Sequence, residues 1–296
     1  MKQAMPLYAL AVATALFAPH AATAQQAAAK TPKKTAALQA KPAAPVAEAG
    51  DATAAEFDKV REVMEDSNPA ELFEMKGEEL WQEKRGPKKV ALAESCDLGL
   101  GVGVVKGAYV QTPRYYADVD AVMDVERRIV HCMVEHQGFK LADIAKKPFS
   151  NDTHTPDPVS LVTYVAAQSK NMKIAIPQKH PKEIEAFRIG AEIFQYRAGP
   201  YDFACATCHG EDGKRIRTQN LPNLTKPQGA IKSYLGWPGY RMTGGVMHTL
   251  QWRMNDCFRQ QRFPEPNYVS DSVTALLTYM GANSNGYTYK GPGIKR

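Results

Sequence analysis

The sequence predicts a mainly α-helical fold in which two tandem copies of one unit are connected by long loops. Apolar residues recur at helical spacing in several segments, whereas the alternation typical of strands is scarce. Segments rich in Gly, Pro and Asn, such as 218–239, separate the expected helices. Four blocks of the chain recur in the same order, and this collinearity favours duplication over chance.

The recurring blocks are spaced similarly in the two halves of the chain, and short insertions in loops account for the differences. They pair residues 77–82 with 190–195, 86–87 with 199–200, 128–132 with 253–257, and 161–169 with 276–284. The third pair reads Arg-x-x-x-Cys in both copies, and Cys96 falls near the place of Cys205.

Three segments carry the strongest helix signals. Asn68-Pro69 is a helix-start signal, and the apolar stripe predicted after it comprises Leu72, Phe73, Leu80 and Trp81. Residues 183–196 repeat this character, with apolar positions at Ile184, Phe187, Ile193 and Phe194. Ser270-Asp271 precedes a short amphipathic helix, whose apolar positions are Val273, Leu276, Leu277 and Met280.

The composition is that of an ordinary globular protein. Of its 296 residues, 44% are hydrophobic and 23% are charged, and the mean hydropathy is -0.40. These values exclude a polytopic membrane protein, a disordered chain and a collagen-like fibre. The net charge is +6, without a dense basic block, which favours an anionic substrate or an acidic partner over nucleic acid.

The first 24 residues have the pattern of a secretory signal peptide. An apolar run over 7–18 is followed by a small-x-small cleavage pattern at 22–24. The run is shorter than the roughly 20 apolar residues of a membrane span, so we expect cleavage and a periplasmic protein. Residues 25–55 are rich in Ala, Pro and Lys and are predicted to form a flexible tether. The two copies are then predicted to occupy 56–176 and 177–296.

Residues 205–209 read Cys-Ala-Thr-Cys-His, a C-x-x-C-H motif typical of covalent c-type haem attachment. Two thiols on adjacent turns reach the two haem vinyl groups, and the histidine then lies beneath the iron as an axial ligand. A thioredoxin-type redox pair would need a strand–helix context, and a zinc site would need a second ligand pair. Cys205 and Cys208 are therefore the predicted attachment thiols and His209 the predicted iron ligand in a small cytochrome c-like unit.

The first copy lacks this motif, because Gly99 stands where the second thiol would be and Leu100 where the histidine would be. We therefore expect one covalently bound c-type haem, held by the second copy only. Of the five cysteines, Cys96 and Cys132 lie in one unit and are the natural disulfide pair in an oxidising compartment. The alternative for these two residues is a pair of reduced, buried thiols.

Cys257 is left unpaired by this assignment, and an unpaired thiol in an exported protein suggests a reactive group, an intermolecular disulfide or a ligand. It follows His209 at a distance where small cytochromes c often supply the distal iron ligand. The competing residues for that position are Met242, Met247, His248 and Met254. Arg253 lies one helical turn before Cys257, and its guanidinium is expected to lower the pKa of the thiol and to hold an anion.

The chain resembles the SoxA family, the larger subunits of the SoxAX cytochromes of bacterial sulfur oxidation. The resemblance rests on residues 77–81, 85–87, 96–97, 205–209 and, most specifically, 253–260. It implies two cytochrome c-like domains with the catalytic haem in the second. It also implies His209 and Cys257 as axial ligands, a persulfide on Cys257, and Arg253 as the active-site arginine. Without a first C-x-x-C-H motif, the chain looks like the single-haem members.

The resemblance implies an enzyme that oxidatively conjugates thiosulfate to a cysteine of the carrier protein SoxYZ. Electrons would leave through this haem and through that of a smaller SoxX-like cytochrome, the partner in a heterodimer. Two other functions stay open from the sequence. One is an electron-transfer cytochrome without substrate chemistry, with methionine on the iron; the other is a haem-bearing interaction subunit whose partner performs the catalysis.

Overall fold

A computed structural model of the protein describes residues 67–145, 155–216 and 219–295, with positions 56, 59–60 and 62–64. The expected signal peptide and tether lie outside the described residues. The described residues all belong to one compact unit. Within these ranges, no helix combines the length and the apolar character that crossing a bilayer requires.

The described elements of the first half are mostly short helices, as predicted. The helices are α1 (Ala70–Gln82), α2 (Val125–Glu135), α3 (Leu141–Ala145) and α4 (Asp157–Ala167), with 3-10 turns at Leu92–Glu94 and Tyr109–Gln111. Strand β1 (Arg114–Tyr116) pairs antiparallel with β2 (Ala121–Met123), and this hairpin leads directly into α2.

The second half continues in the same mainly helical style. Its helices are α5 (Pro181–Gln195), α6 (Cys205–His209), α7 (Pro227–Tyr234), α8 (Leu250–Gln260) and α9 (Asp271–Ala282). Strands β3 (Arg215–Ile216) and β4 (Gln219–Asn220) form a small antiparallel pair. Strand β5 (Gly239–Arg241) lies between β6 (Val246–His248), which is antiparallel to it, and β7 (Gly293–Lys295), which is parallel.

Two glycines allow two pairs of helices to approach at backbone distance. Helix α1 packs along α4, and α5 packs along α9. A Cβ atom on Gly77 would overlap the carbonyl oxygen of Ser160, and a Cβ atom on Gly190 would overlap that of Ala275. Because no side chain fits at either crossing, the two glycines set the distance between the helices of each pair.

Three details differ from the sequence expectations. Leu72 and Ile184, which belong to the predicted apolar positions of their helices, are 69% and 53% exposed, because α1 and α5 each bury only a narrow stripe. Helix α9, predicted to be amphipathic, is buried continuously over 273–281, because α5, α7 and α8 all contact it. Helix α7 forms inside the segment expected to be a loop, with Pro227 at its first position.

The two halves share one hydrophobic core in the described part of the chain, and two tyrosines connect them reciprocally. The hydroxyl of Tyr109 in the first half donates to the carbonyl oxygen of Trp237 in the second, at 2.8 Å. The hydroxyl of Tyr234 in the second half donates to the carbonyl oxygen of Thr112 in the first, at 2.9 Å. Each half therefore satisfies buried polar groups of the other.

The N-termini of α2 and α8 also meet across this core. Asp124, the N-cap of α2, accepts hydrogen bonds from the Arg127 backbone N–H at 3.0 Å, from Gln251 Nε2 at 2.8 Å and from Thr274 Oγ1 at 2.7 Å. Glu126 Oε1 accepts from the Leu250 backbone N–H, the first of α8, at 3.1 Å. The carboxylates of one helix N-terminus thus satisfy donors of the other.

Glu126 is the residue of this junction whose hydrogen bonding is incomplete. Its Oε2 atom is buried and has no hydrogen-bond partner among the described residues. Burial first, and then the nearby charge of Asp124, raise the pKa of Glu126 well above its ordinary value, while hydrogen bonds from Gln251, Leu250 and Thr249 oppose the shift. The folded protein therefore favours the protonated form of Glu126.

A first prediction concerns the helix crossings. Changing Gly190 to Ala should lower the free energy of unfolding by about 3 kcal/mol, because the added methyl overlaps the backbone of α9. Gly244→Ala is the matched control, since a Cβ there would meet Val246 Cγ2 at an ordinary 3.5 Å. Denaturant titration of both variants measures the difference. Equal stabilities would show that the crossing has room for a side chain.

A second prediction concerns Glu126 and pH. A raised carboxyl pKa stabilises the folded state at low pH, and this contribution is lost as pH rises from the ordinary value of 4.5 through the raised value. Glu126→Gln removes the titrating group. The free energy of unfolding of this variant should therefore increase relative to that of the unmodified protein as pH rises through that range. Parallel denaturant titrations across pH measure the difference, and a difference independent of pH would contradict it.

Candidate active site

The motif residues occupy the short helix α6, and a single hydrogen bond orients its histidine. The Nδ1 atom of His209 donates to the carbonyl oxygen of Pro222 at 2.9 Å, since a carbonyl only accepts. The backbone N–H of Leu224 donates to the His209 carbonyl oxygen at 2.8 Å, which holds the same loop against α6. This arrangement leaves the lone pair of Nε2 available to a metal.

The imidazole of His209 is favoured in its neutral form. Burial lowers its pKa, the hydrogen bond to Pro222 opposes this effect, and the charge of Arg253 lowers the pKa further. The effect of Arg253 also indicates that α8 brings its arginine near the motif. A neutral imidazole is the form that binds a metal ion.

The donor set of α6 fits a c-type haem. Cys205 and Cys208 are free thiols three positions apart on one helix, and His209 follows directly. Burial raises the pKa of the Cys205 thiol to about 12, with a further contribution from nearby Cys257. Two free thiols at this spacing, followed directly by a histidine, match the covalent attachment of a c-type haem.

Helix α8 carries the other predicted site residues. Thr249 caps it by accepting a hydrogen bond from the Trp252 backbone N–H at 3.2 Å. Arg253 and Cys257 lie one turn apart on this helix, as the sequence predicts. Cys257 and the motif cysteines are close enough for each to influence the pKa of another, so the unpaired thiol lies in the neighbourhood of the motif.

The thiol of Cys257 has a raised pKa, contrary to the expectation from its arginine. Burial raises the pKa most, the charge of Arg253 lowers it, and the charges of Asp256 and Cys208 raise it again. The effect of Arg253 has the predicted sign. It is smaller than the effect of burial, which the sequence does not show.

Asp256 is a site residue that sequence reasoning missed. Its buried carboxylate accepts hydrogen bonds from Arg253 Nη1 at 3.1 Å, Arg259 Nη2 at 2.6 Å and Gln260 Nε2 at 2.7 Å, and it lies 3.9 Å from Arg241 Nη1. Burial raises the pKa of Asp256, but these hydrogen bonds and charges outweigh it and hold the pKa below its ordinary value. The signal was present in the spacing of positions 253, 256, 259 and 260 on one helix.

The competing iron ligands have structural neighbours of their own. Met247 belongs to the buried core, and Met254 is partly buried against it. The ring of His248 stacks on Trp252, with centroids 3.7 Å apart. Met242 lies next to β5, where its backbone N–H donates to the Lys295 carbonyl oxygen at 3.1 Å.

In the first half, Cys96 and Cys132 form a disulfide, with Cα atoms 5.5 Å apart. Arg128, one turn before Cys132, is buried: its Nε donates to the Asp97 carbonyl oxygen at 2.7 Å and its Nη1 pairs with Asp118 at 2.7 Å. Its guanidinium also lies over the ring of Tyr116, 4.3 Å from the centroid. This half therefore has neither a free thiol nor an exposed arginine at the corresponding place.

Comparisons with known proteins agree on one family. The family profile described as "SoxA/TsdA, cytochrome c domain" matches residues 76–174. The L-cysteine S-thiosulfotransferase subunit SoxA of Hydrogenophilus thermoluteolus is 45% identical over 263 residues, covering 88% of this chain and 96% of that protein. A subunit of the same name from Hydrogenobacter thermophilus is 33% identical, covering 77% and 82%.

One solved structure has the same fold. The crystal structure of SoxXA from P. pantotrophus superposes with a TM-score of 0.65 at 22% identity, covering 80% of this chain and 84% of the other. At this identity the similarity supports the fold of the described residues, and the sequence relatives carry the family assignment.

A third prediction concerns the disulfide. Replacing Cys96 and Cys132 by Ser should lower the free energy of unfolding by about 3–4 kcal/mol, because the bond closes a loop between residues 36 positions apart. Intact-mass analysis after alkylation without reduction should find neither thiol labelled in the unmodified protein. Labelling of both residues would show that the two thiols are reduced.

Proposed function

Because this chain belongs to the SoxA family of L-cysteine S-thiosulfotransferase subunits, we propose that it oxidatively conjugates thiosulfate to a cysteine of a SoxYZ-type carrier protein. The observation that carries this function is 45% identity to a SoxA subunit over 88% of the chain. That relationship extends through α8, where a thiol, a guanidinium and the C-x-x-C-H motif are neighbours.

The reaction is a two-electron oxidation that forms one S–S bond. The terminal sulfur of the thiosulfate dianion joins the thiolate sulfur of the carrier, giving a cysteine S-thiosulfonate with one negative charge and two released electrons. The haem, when bound, supplies a one-electron acceptor, so the second electron needs a further acceptor such as the haem of a partner. A SoxX-like small cytochrome in a heterodimer would meet this need.

We assign three residues of this chain to the sulfur chemistry and haem binding. Arg253 binds the thiosulfate dianion, for which a guanidinium fork has the matching geometry. Cys257 carries an additional sulfur as a persulfide. This sulfur forms a bond with the terminal sulfur of thiosulfate, and the two electrons released by that bond formation leave to two one-electron acceptors. The carrier thiolate then attacks the thiosulfonate sulfur, and the bond to the Cys257 persulfide breaks, which restores it. His209 and Cys257 would hold the haem iron.

We place the one haem in the second half, on Cys205 and Cys208. The donor set of α6 supports this assignment, as does the hydrogen bond that orients His209. In the first half, Cys132 stands where Cys257 stands in the second, and it is bound to Cys96. Since that thiol is consumed, the first half is not expected to hold a haem.

We also propose that the two halves, 56–176 and 177–296, are cytochrome c-like domains related by duplication. The paired glycines at the helix crossings support this, as do the reciprocal tyrosine hydrogen bonds. A cytochrome c profile matches residues 76–174, where no C-x-x-C-H motif exists. The N-terminal signal pattern supports a periplasmic location, where covalent haem and a disulfide are both compatible with the compartment.

A fourth prediction tests the role of Cys257. Cys257→Ser should reduce thiosulfate-dependent turnover with the carrier protein by about 100-fold or more, because the sulfur acceptor is removed. Haem should remain attached, since Cys205 and Cys208 are unchanged. Met254→Leu, on the same helix, is the matched control and should keep both the turnover and the absorption spectrum of the iron.

Two results would contradict this function. Unchanged turnover of Cys257→Ser would favour an interaction subunit whose partner performs the chemistry. A spectrum altered by Met254→Leu and not by Cys257→Ser would favour methionine ligation in an electron-transfer cytochrome.

A further inference from the structure

Asp256 is a buried carboxylate in contact with basic groups from two elements. Its side chain is 3% exposed, although it lies on α8 next to Cys257. Arg253 and Arg259 come from the same helix, and Arg241 comes from β5. The guanidinium of Arg241 also lies over the ring of Trp252, 5.1 Å from the centroid.

This carboxylate is poorly placed if its only purpose is to stabilise the helix. Ion pairs three residues apart on an exposed helix face stabilise by a few tenths of a kcal/mol without burying a charge, whereas a buried carboxylate is costly to desolvate. Its negative charge also opposes ionisation of the neighbouring thiol of Cys257. A buried charge in this position therefore requires another explanation.

We propose that Asp256 is a positioning residue, which holds the guanidinium groups of Arg253 and Arg241 in the orientation that binds thiosulfate beside Cys257. The inference rests on the proposed function and names a further residue for it. The pair with Arg253 uses Nη1 at 3.1 Å and thereby restricts rotation of a guanidinium that is 34% exposed. Arg241 approaches the same carboxylate oxygen from β5, so Asp256 joins the two elements.

The charge balance of the cluster suits the substrate. Three guanidinium groups around one carboxylate leave a surplus of two positive charges, and thiosulfate carries two negative charges. Without the carboxylate, the guanidinium groups would repel one another and separate. Asp256 thus keeps like charges together at one place, which a flexible arginine alone does not achieve.

The test uses the haem-loaded protein with its carrier protein and compares three variants. Asp256→Asn should lower kcat/KM for thiosulfate by about 10-fold or more, because the guanidinium groups lose the orientation that binds the anion even though the cluster gains positive charge. Asp256→Glu keeps the charge and should recover part of kcat/KM. Glu185→Gln is the matched control, since Glu185 is an exposed carboxylate of the same half that pairs with Arg188 three positions along its own helix.

A double-mutant cycle separates positioning from general damage. If Asp256 acts through Arg253, then Asp256→Asn should change turnover by less than about 2-fold in an Arg253→Ala background. Haem content and thermal unfolding of each variant serve as a second readout. If Asp256→Asn does not fold with haem, the same cycle is run with Asp256→Glu.

The outcomes distinguish this inference from the function on which it rests. An unmodified protein without thiosulfate-dependent turnover would contradict the proposed function itself. Turnover that falls with Arg253→Ala but not with Asp256→Asn would overturn the positioning role alone. Losses that multiply in the double variant would also overturn it, because they would show that Asp256 acts independently of Arg253.

Discussion

The meeting of two helix N-termini inside the core is the constraint on which the site depends. Asp124 caps α2 and at the same time accepts hydrogen bonds from Gln251 on α8 and Thr274 on α9. Glu126 accepts from the first backbone N–H of α8. Since α8 carries both Arg253 and Cys257, contacts with the first half of the chain help to set where these two residues of the proposed site lie. This arrangement has a free-energy cost at Glu126, because its second carboxylate oxygen is buried without a hydrogen-bond partner among the described residues.

Two helices hold the proposed site residues: α6 limits rotation of an imidazole, and α8 limits rotation of a guanidinium. On α6, the hydrogen bond to Pro222 fixes the ring of His209 and its tautomer. On α8, the hydrogen bond to Asp256 limits rotation of the Arg253 guanidinium, and burial raises the pKa of the Cys257 thiol more than the arginine lowers it. The imidazole and the guanidinium are therefore each held by a hydrogen bond that limits rotation of the side chain.

The sequence predicts local features well, because they depend on neighbours along the chain. The mainly helical fold and the helices beginning near 70, 181 and 271 are confirmed. The exposure of Leu72 and the complete burial of α9 were not predictable, because both depend on which other helices pack there. The junction at Asp124 joins residues more than 100 positions apart, which no local pattern indicates. The ion pairs of Asp256 on α8 could be predicted, since its partners lie at helical spacing, but its burial could not.

The two Arg-x-x-x-Cys segments show why the same spacing supports different chemistry. Arg128 pairs with Asp118 from the loop between β1 and β2, so its partner covers it and its side chain is only 4% exposed. Arg253 pairs with Asp256 on its own helix. This partner is buried and does not cover the arginine, so the Arg253 side chain stays 34% exposed. An anion in solution has access to the second arginine and not to the first. The position of the acidic partner, rather than the arginine itself, therefore decides which of the two guanidinium groups is open to solvent.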